Sequence, residues 1–113
     1  MSRLHEAFAA AKAEGRALLI GYMPAGFPAK GDDVEVIAAM VRGGVDAVEI
    51  GLPYSDPLMD GATIQDAVQR ALEGGTHTDD VLETVRGVAA LGVPPLVMSY
   101  WNPLARYGVE RFA

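Results

Sequence analysis

The sequence predicts an α/β fold, a parallel sheet covered by helices. Three observations carry that prediction. Short apolar runs alternate with longer amphipathic segments, most of those segments stop at one or two glycines, and no linker or low-complexity stretch interrupts the alternation.

Ser2 can cap a first helix whose apolar positions Leu4, Phe8 and Ala11 share one face, with Gly15 ending it. Ala17 to Tyr22 then reads as a buried strand. Asp32, three residues before Glu35, suggests a variant capping box for a helix with Val34, Ile37, Ala38 and Val41 at helical spacing, closed by Gly43 and Gly44. The plan repeats. Val45 to Gly51 is a second strand, and Ile64, Val68, Ala71 and Leu72 give a helical face that stops at Gly74 and Gly75. Thr78 starts another helix with Asp79 and Asp80 in its first turn and Val81, Leu82, Val85 and Val88 along its apolar side, until Gly92. After Pro94 and Pro95, Leu96 to Tyr100 is a third strand, and Asn102 and Pro103 turn the chain into a last helix running to Ala113.

An open doubly wound sheet and a closed eightfold barrel both satisfy this order. A complete eightfold barrel needs about 250 residues, so three strands are well under half of one. Residues 1–113 are therefore read as a partial domain that stops inside the helix after the third strand, where Val109 to Ala113 begins an amphipathic pattern with no C-cap signal.

Composition excludes several function classes. Fifteen acids against nine bases give a net charge of -6 with no basic cluster, which argues against nucleic acid as a partner. The absence of cysteine removes disulfides and thiolate metal sites, and His5 and His77 are too few and too far apart for a zinc motif. Met1 to Arg16 has neither a long apolar run nor a cleavage signature, so a cytoplasmic protein without a membrane segment is expected. No Walker-type or dinucleotide-type glycine cradle is present.

Two carboxylates stand out. Alternation along the second strand puts Val48 and Ile50 on one face and Val45, Ala47, Glu49 and Gly51 on the other. If Val48 and Ile50 pack on the helices, Glu49 points into a barrel near the C-terminal end of its strand, where such barrels hold catalytic groups. A carboxyl enclosed there suits general acid and base work. The plainer reading is a strand-end acid that is solvated or ion-paired. Asp60 lies in the loop from Leu52 to Gly61, just before the next helix, where its plainer reading is an N-cap. Asp56, in Ser55-Asp56-Pro57, suits a turn. Pro53 and Pro57 stiffen the loop and Gly61 lets it bend after Asp60, so the loop as a whole looks built to position a side chain. Tyr22, Tyr100 and Asn102 fall at the ends of the first and third strands, on the same rim. Aromatic walls there suit a flat apolar ligand, although each tyrosine could simply pack and Asn102 could cap a helix.

The stretch Gly44-Val45-Asp46-Ala47-Val48-Glu49-Ile50-Gly51-Leu52-Pro53-Tyr54-Ser55-Asp56-Pro57-Leu58-Met59-Asp60-Gly61 closely resembles the signature of tryptophan synthase alpha subunits. Gly21-Tyr22-Met23-Pro24-Ala25-Gly26-Phe27-Pro28 upstream, and Met98-Ser99-Tyr100-Trp101-Asn102-Pro103 with Arg106-Tyr107-Gly108-Val109 downstream, follow in that family's order and spacing. The resemblance implies a (β/α)8 TIM barrel, of which these residues would supply about three of eight strands. It implies a lyase that splits indole-3-glycerol phosphate by retro-aldol cleavage into indole and glyceraldehyde 3-phosphate, a step of tryptophan biosynthesis.

By motif, Glu49 matches the acid/base that protonates the released indole carbon and helps deprotonate the glycerol hydroxyl, and Asp60 matches the carboxylate that holds the indole N–H. Tyr22 and Tyr100 match positions lining the indole pocket. Asp56 and Asn102 match the rim that meets the beta subunit. No cofactor or metal is implied in this chain; pyridoxal phosphate belongs to the beta subunit of an alpha2beta2 assembly. Met59 and Ala62 depart from the small residue and the proline that the family often has there, and loops from the last barrel strands, which bind the substrate phosphate in the family, lie outside these residues. The alternative to a lyase is a catalytically incompetent piece that at most binds the beta subunit.

Overall fold

A computed structural model describes residues 2–113. The elements run α1 (Arg3–Ala13), β1 (Ile20–Pro24), α2 (Asp33–Arg42), β2 (Ala47–Gly51), α3 (Ala62–Glu73), α4 (Thr78–Ala90), β3 (Pro95–Met98), α5 (Trp101–Tyr107) and α6 (Val109–Phe112). The strands form one parallel sheet in the order β1-β2-β3. Helices α2 and α4 cover one face, where Val48 and Ile50 are fully buried against Ile37, Val81 and Val88. Alternation in β2 is thus the one expected, with the core on the helix side and Glu49 on the other.

Several boundaries move for tertiary reasons. β1 begins at Ile20 rather than Ala17, because pairing starts only where β2 offers a ladder at Ala47. Before that point the Leu19 carbonyl accepts from the N–H groups of Asp46 and Ala47 and the Leu19 N–H donates to the Asp46 carboxylate. Val45 precedes β2 and packs with the helix-side core, so the alternation does not reach back to it. β3 is Pro95–Met98 rather than Leu96 to Tyr100, since Leu52 N–H makes its bond to Met98 and Tyr100 already occupies the N-cap position of α5. The single last helix is in fact two short ones, broken at Gly108 with φ 107°.

Caps also differ. Ser2 caps α1 as expected, its Oγ accepting from His5 N–H at 3.2 Å, but Phe8 on the expected buried face is 52% exposed. Asp32 makes no capping bond for α2. The next residue does the work instead: the buried Asp33 carboxylate accepts from Gly26 N–H at 2.8 Å, Val34 N–H at 2.9 Å and the Thr84 hydroxyl at 2.5 Å, joining the loop after β1 to α2 and α4. For α4 the N-cap position is His77 rather than Thr78, and Asp80 takes the His77 N–H at 2.7 Å.

At the end of the sheet opposite the rim, Arg16 forks onto both oxygens of Asp46 at 2.8 and 2.9 Å. The Arg16 hydrogen bond, then that from Leu19 N–H, holds the Asp46 carboxyl below its ordinary value. A carboxyl depressed on folding contributes stability above its unfolded value, about 3.9, and loses that contribution as pH falls through the folded value. Asp46→Asn is expected to flatten the acid-side loss of stability below about pH 4, read by denaturant titration at stepped pH. An unchanged acid slope would remove this pair from the account.

Candidate active site

The site is built on the face of the sheet that the helices leave free. Parallel register sets Tyr22 and Leu96 directly beside Glu49, so all three side chains leave the sheet on the same side. Two residues on from Glu49, Gly51 makes room: a Cβ there would run into the Tyr22 hydroxyl and ring. Glycine is used at this point for close approach, letting the Tyr22 ring lie across β2 toward the strand's C-terminal end.

Burial, and then the charges of Asp60 and Glu49 with a smaller contribution from Tyr100, push the Tyr22 hydroxyl above its ordinary pKa. One phenol therefore senses both carboxylates. Its hydroxyl remains protonated across the physiological range. Tyr22 also borders a cavity of about 350 Å³ between β1 and α3, with Phe27, Ile64 and Ala67, where the Arg70 guanidinium sits 5.2 Å from the Phe27 ring centre. The expected enclosure of Glu49 is not formed by these residues. Glu49 is half-buried on an open face, beside Ile20 at 40% and Met98 at 43% exposure.

Asp60 does not take the helix-capping role its position suggests. Gly61 occupies the N-cap of α3, with no side-chain capping bond, and the Asp60 carbonyl accepts from Gln65 Nε2 at 2.7 Å. Tyr100 reaches from beyond β3 to the same loop, its hydroxyl oxygen accepting from the N–H groups of Leu58 at 3.1 Å and Met59 at 2.9 Å. Its ring lies 5.5 Å from that of Tyr54, whose hydroxyl accepts from Asn102 Nδ2 at 2.9 Å. Glu49, Asp60, Tyr22 and Tyr100 thus share the C-terminal rim. Asn102 joins them through Tyr54, while Asp56 stands apart at an exposed bend.

Sequence reasoning singled out neither Tyr54 nor Gln65 nor Asp33. A glutamine in the first turn of α3, five residues after Asp60, was the available signal for a side chain that could reach back to the loop. Among the described residues no group of three or more acids or histidines could hold a metal ion, and no helix is long and apolar enough to cross a membrane.

Comparison with known proteins gives this arrangement a family. The family model for the tryptophan synthase alpha chain matches residues 8–113. The chain belongs to that family. It is 57% identical over 113 residues to the tryptophan synthase alpha chain of Thermobifida fusca (strain YX), covering 100% of this chain and 42% of that protein. With the alpha chain of Nocardia farcinica it shares 54% over 112 residues, covering 99% and 42%. It superposes on tryptophan synthase from M. tuberculosis in the aminoacrylate-bound form with a TM-score of 0.94 at 46% identity, over 99% of this chain and 46% of that one. For tryptophan synthase subunit alpha from Legionella pneumophila str. Paris the TM-score is 0.93 at 36% identity, over 99% and 44%.

The chain therefore spans about two fifths of the length of the curated alpha chains it matches. Its three parallel strands and their helices are part of the tryptophan synthase alpha TIM barrel, the fold class expected from the sequence.

Proposed function

We propose that the protein carrying these residues is a tryptophan synthase alpha-type lyase that cleaves indole-3-glycerol phosphate. The observation that carries the reading is that Glu49 and Tyr22 leave the sheet on one face toward the C-terminal ends of the strands, with the main chain just before Asp60 tied to that rim by Tyr100. Two carboxylates in different settings divide the work, Glu49 handling protons and Asp60 holding the ring nitrogen.

In the reaction, a proton reaches the indole ring carbon that bears the glycerol chain, and Glu49 supplies it. Asp60 accepts the ring N–H and offsets the positive charge that protonation puts on the nitrogen. Loss of the proton from the adjacent glycerol hydroxyl, also assisted by Glu49, turns that carbon into a carbonyl as the carbon–carbon bond breaks, and the bonding pair returns to the ring. The products are indole and glyceraldehyde 3-phosphate, with no net proton consumed. Tyr22 and Tyr100 flank the flat ring.

Asn102 near the rim and Asp56 at its separate bend, both exposed, face the beta subunit in the proposed alpha2beta2 assembly, and that pyridoxal-phosphate subunit takes up the indole. The assembly is cytoplasmic. The test is release of indole from indole-3-glycerol phosphate by the full chain, with and without the beta subunit. Turnover that rises when the subunit is added is expected. A full chain that folds, binds the beta subunit and yields no indole would leave only the binding-module alternative.

A further inference from the structure

Asp60 is braced along its main chain from both sides, by side chains of two different elements. Upstream, one phenol oxygen at the start of α5 takes two successive N–H groups, those of Leu58 and Met59. Downstream, Gln65 of α3 takes the carbonyl of Asp60 itself. The loop has little else to fix it here, because Leu58 and Met59 are 88% and 82% exposed and bury almost nothing. Tyr100 is itself oriented by the Tyr54 ring, and Tyr54 by Asn102.

An aspartate has a short side chain, so where its carboxylate lies is set mainly by where its backbone lies. A carboxylate that must meet the N–H of a flat ring in one geometry loses its effect when displaced by a fraction of an ångström to an ångström. We propose that Tyr100 and Gln65 are positioning residues for Asp60: they clamp the loop so that its carboxylate is held where the ring nitrogen becomes positive. This rests on the reading of Asp60 given above. It also gives Tyr100 a task beyond forming a pocket wall, since its oxygen is already engaged by the loop.

In the full chain, Tyr100→Phe keeps the ring and removes the acceptor, while Gln65→Met keeps the length and removes the donor. Each is expected to lower kcat for indole release by about 10-fold or more with KM within about threefold, because the loss falls on orientation in the transition state. Amide hydrogen exchange at Leu58 and Met59 should rise in Tyr100→Phe whatever the activity. In an Asp60→Asn background, Tyr100→Phe should cost less than about twofold further, as expected for two changes acting through one group. A loss as large in that background as in the unsubstituted chain, a normal kcat in Tyr100→Phe, or unchanged exchange at both amides would overturn the proposal. Asp60→Asn turning over at the unsubstituted rate would instead remove Asp60 from the chemistry, and with it the reason for the clamp.

Discussion

Glu49→Gln in the full chain is expected to reduce indole release by about 100-fold or more, the usual cost of losing a positioned acid or base. Glutamine has nearly the same shape and leaves the β2 ladder intact, so the Tyr22 and Leu96 neighbours keep their places. What disappears is the ability to give a proton to carbon and take one from oxygen. KM should move little, since an interaction made mainly in the transition state shows in kcat. Steady-state assays on Glu49→Gln, with circular dichroism to confirm folding, read this directly. Turnover within a few-fold of the unsubstituted chain would mean that the proton comes from elsewhere.

Asp33→Ala carries the second large effect, on stability. The carboxylate is 3% exposed and accepts from two backbone N–H groups and the Thr84 hydroxyl. Truncation strands the Gly26 N–H in the interior and leaves the Thr84 hydroxyl only its bond to the Asp80 carbonyl at 3.1 Å; an abandoned buried donor costs about 1–3 kcal/mol, so a loss of about 2 kcal/mol or more is expected. Gly26 can follow no easy relaxation. It sits at φ 81°, packed so closely on Thr76 that a Cβ would collide with that side chain. Asp33→Asn, which retains one acceptor oxygen, should lose less. Denaturant melts of both variants decide the matter; a loss for Asp33→Ala under about 1 kcal/mol would show that the three bonds are replaced by water or by local shifts.

The order of strands and helices was legible because the hydrophobic period changes clearly between segments, and the glycines mark most of the helix ends. Strand limits were not, since Ile20 and Met98 are set by where the neighbouring strand offers partners. The capping reading of Asp32 and Glu35 missed by one residue. Local spacing cannot reveal that Asp33 has its partners at Gly26 and on α4.

For the site, the face of Glu49 followed from alternation alone, but the residues by themselves left Asp60 as a helix cap. Its pairing with Glu49 came from the family resemblance. The structure bears on that point by giving the cap position to Gly61. The bonds that the Leu58 and Met59 N–H groups donate to the Tyr100 hydroxyl span more than forty residues and leave no trace in any local pattern.

β2 is the one strand of the described sheet with a neighbour on each side, and it is the strand that carries Glu49. Its amides should be among the slowest to exchange, so the group proposed to handle protons is mounted on the stiffest beam of the framework, while the Asp60 loop depends on side chains of other elements for its place. Substitutions in rim loops outside that clamp can then shift ligand preference without retuning the carboxyl proposed to react.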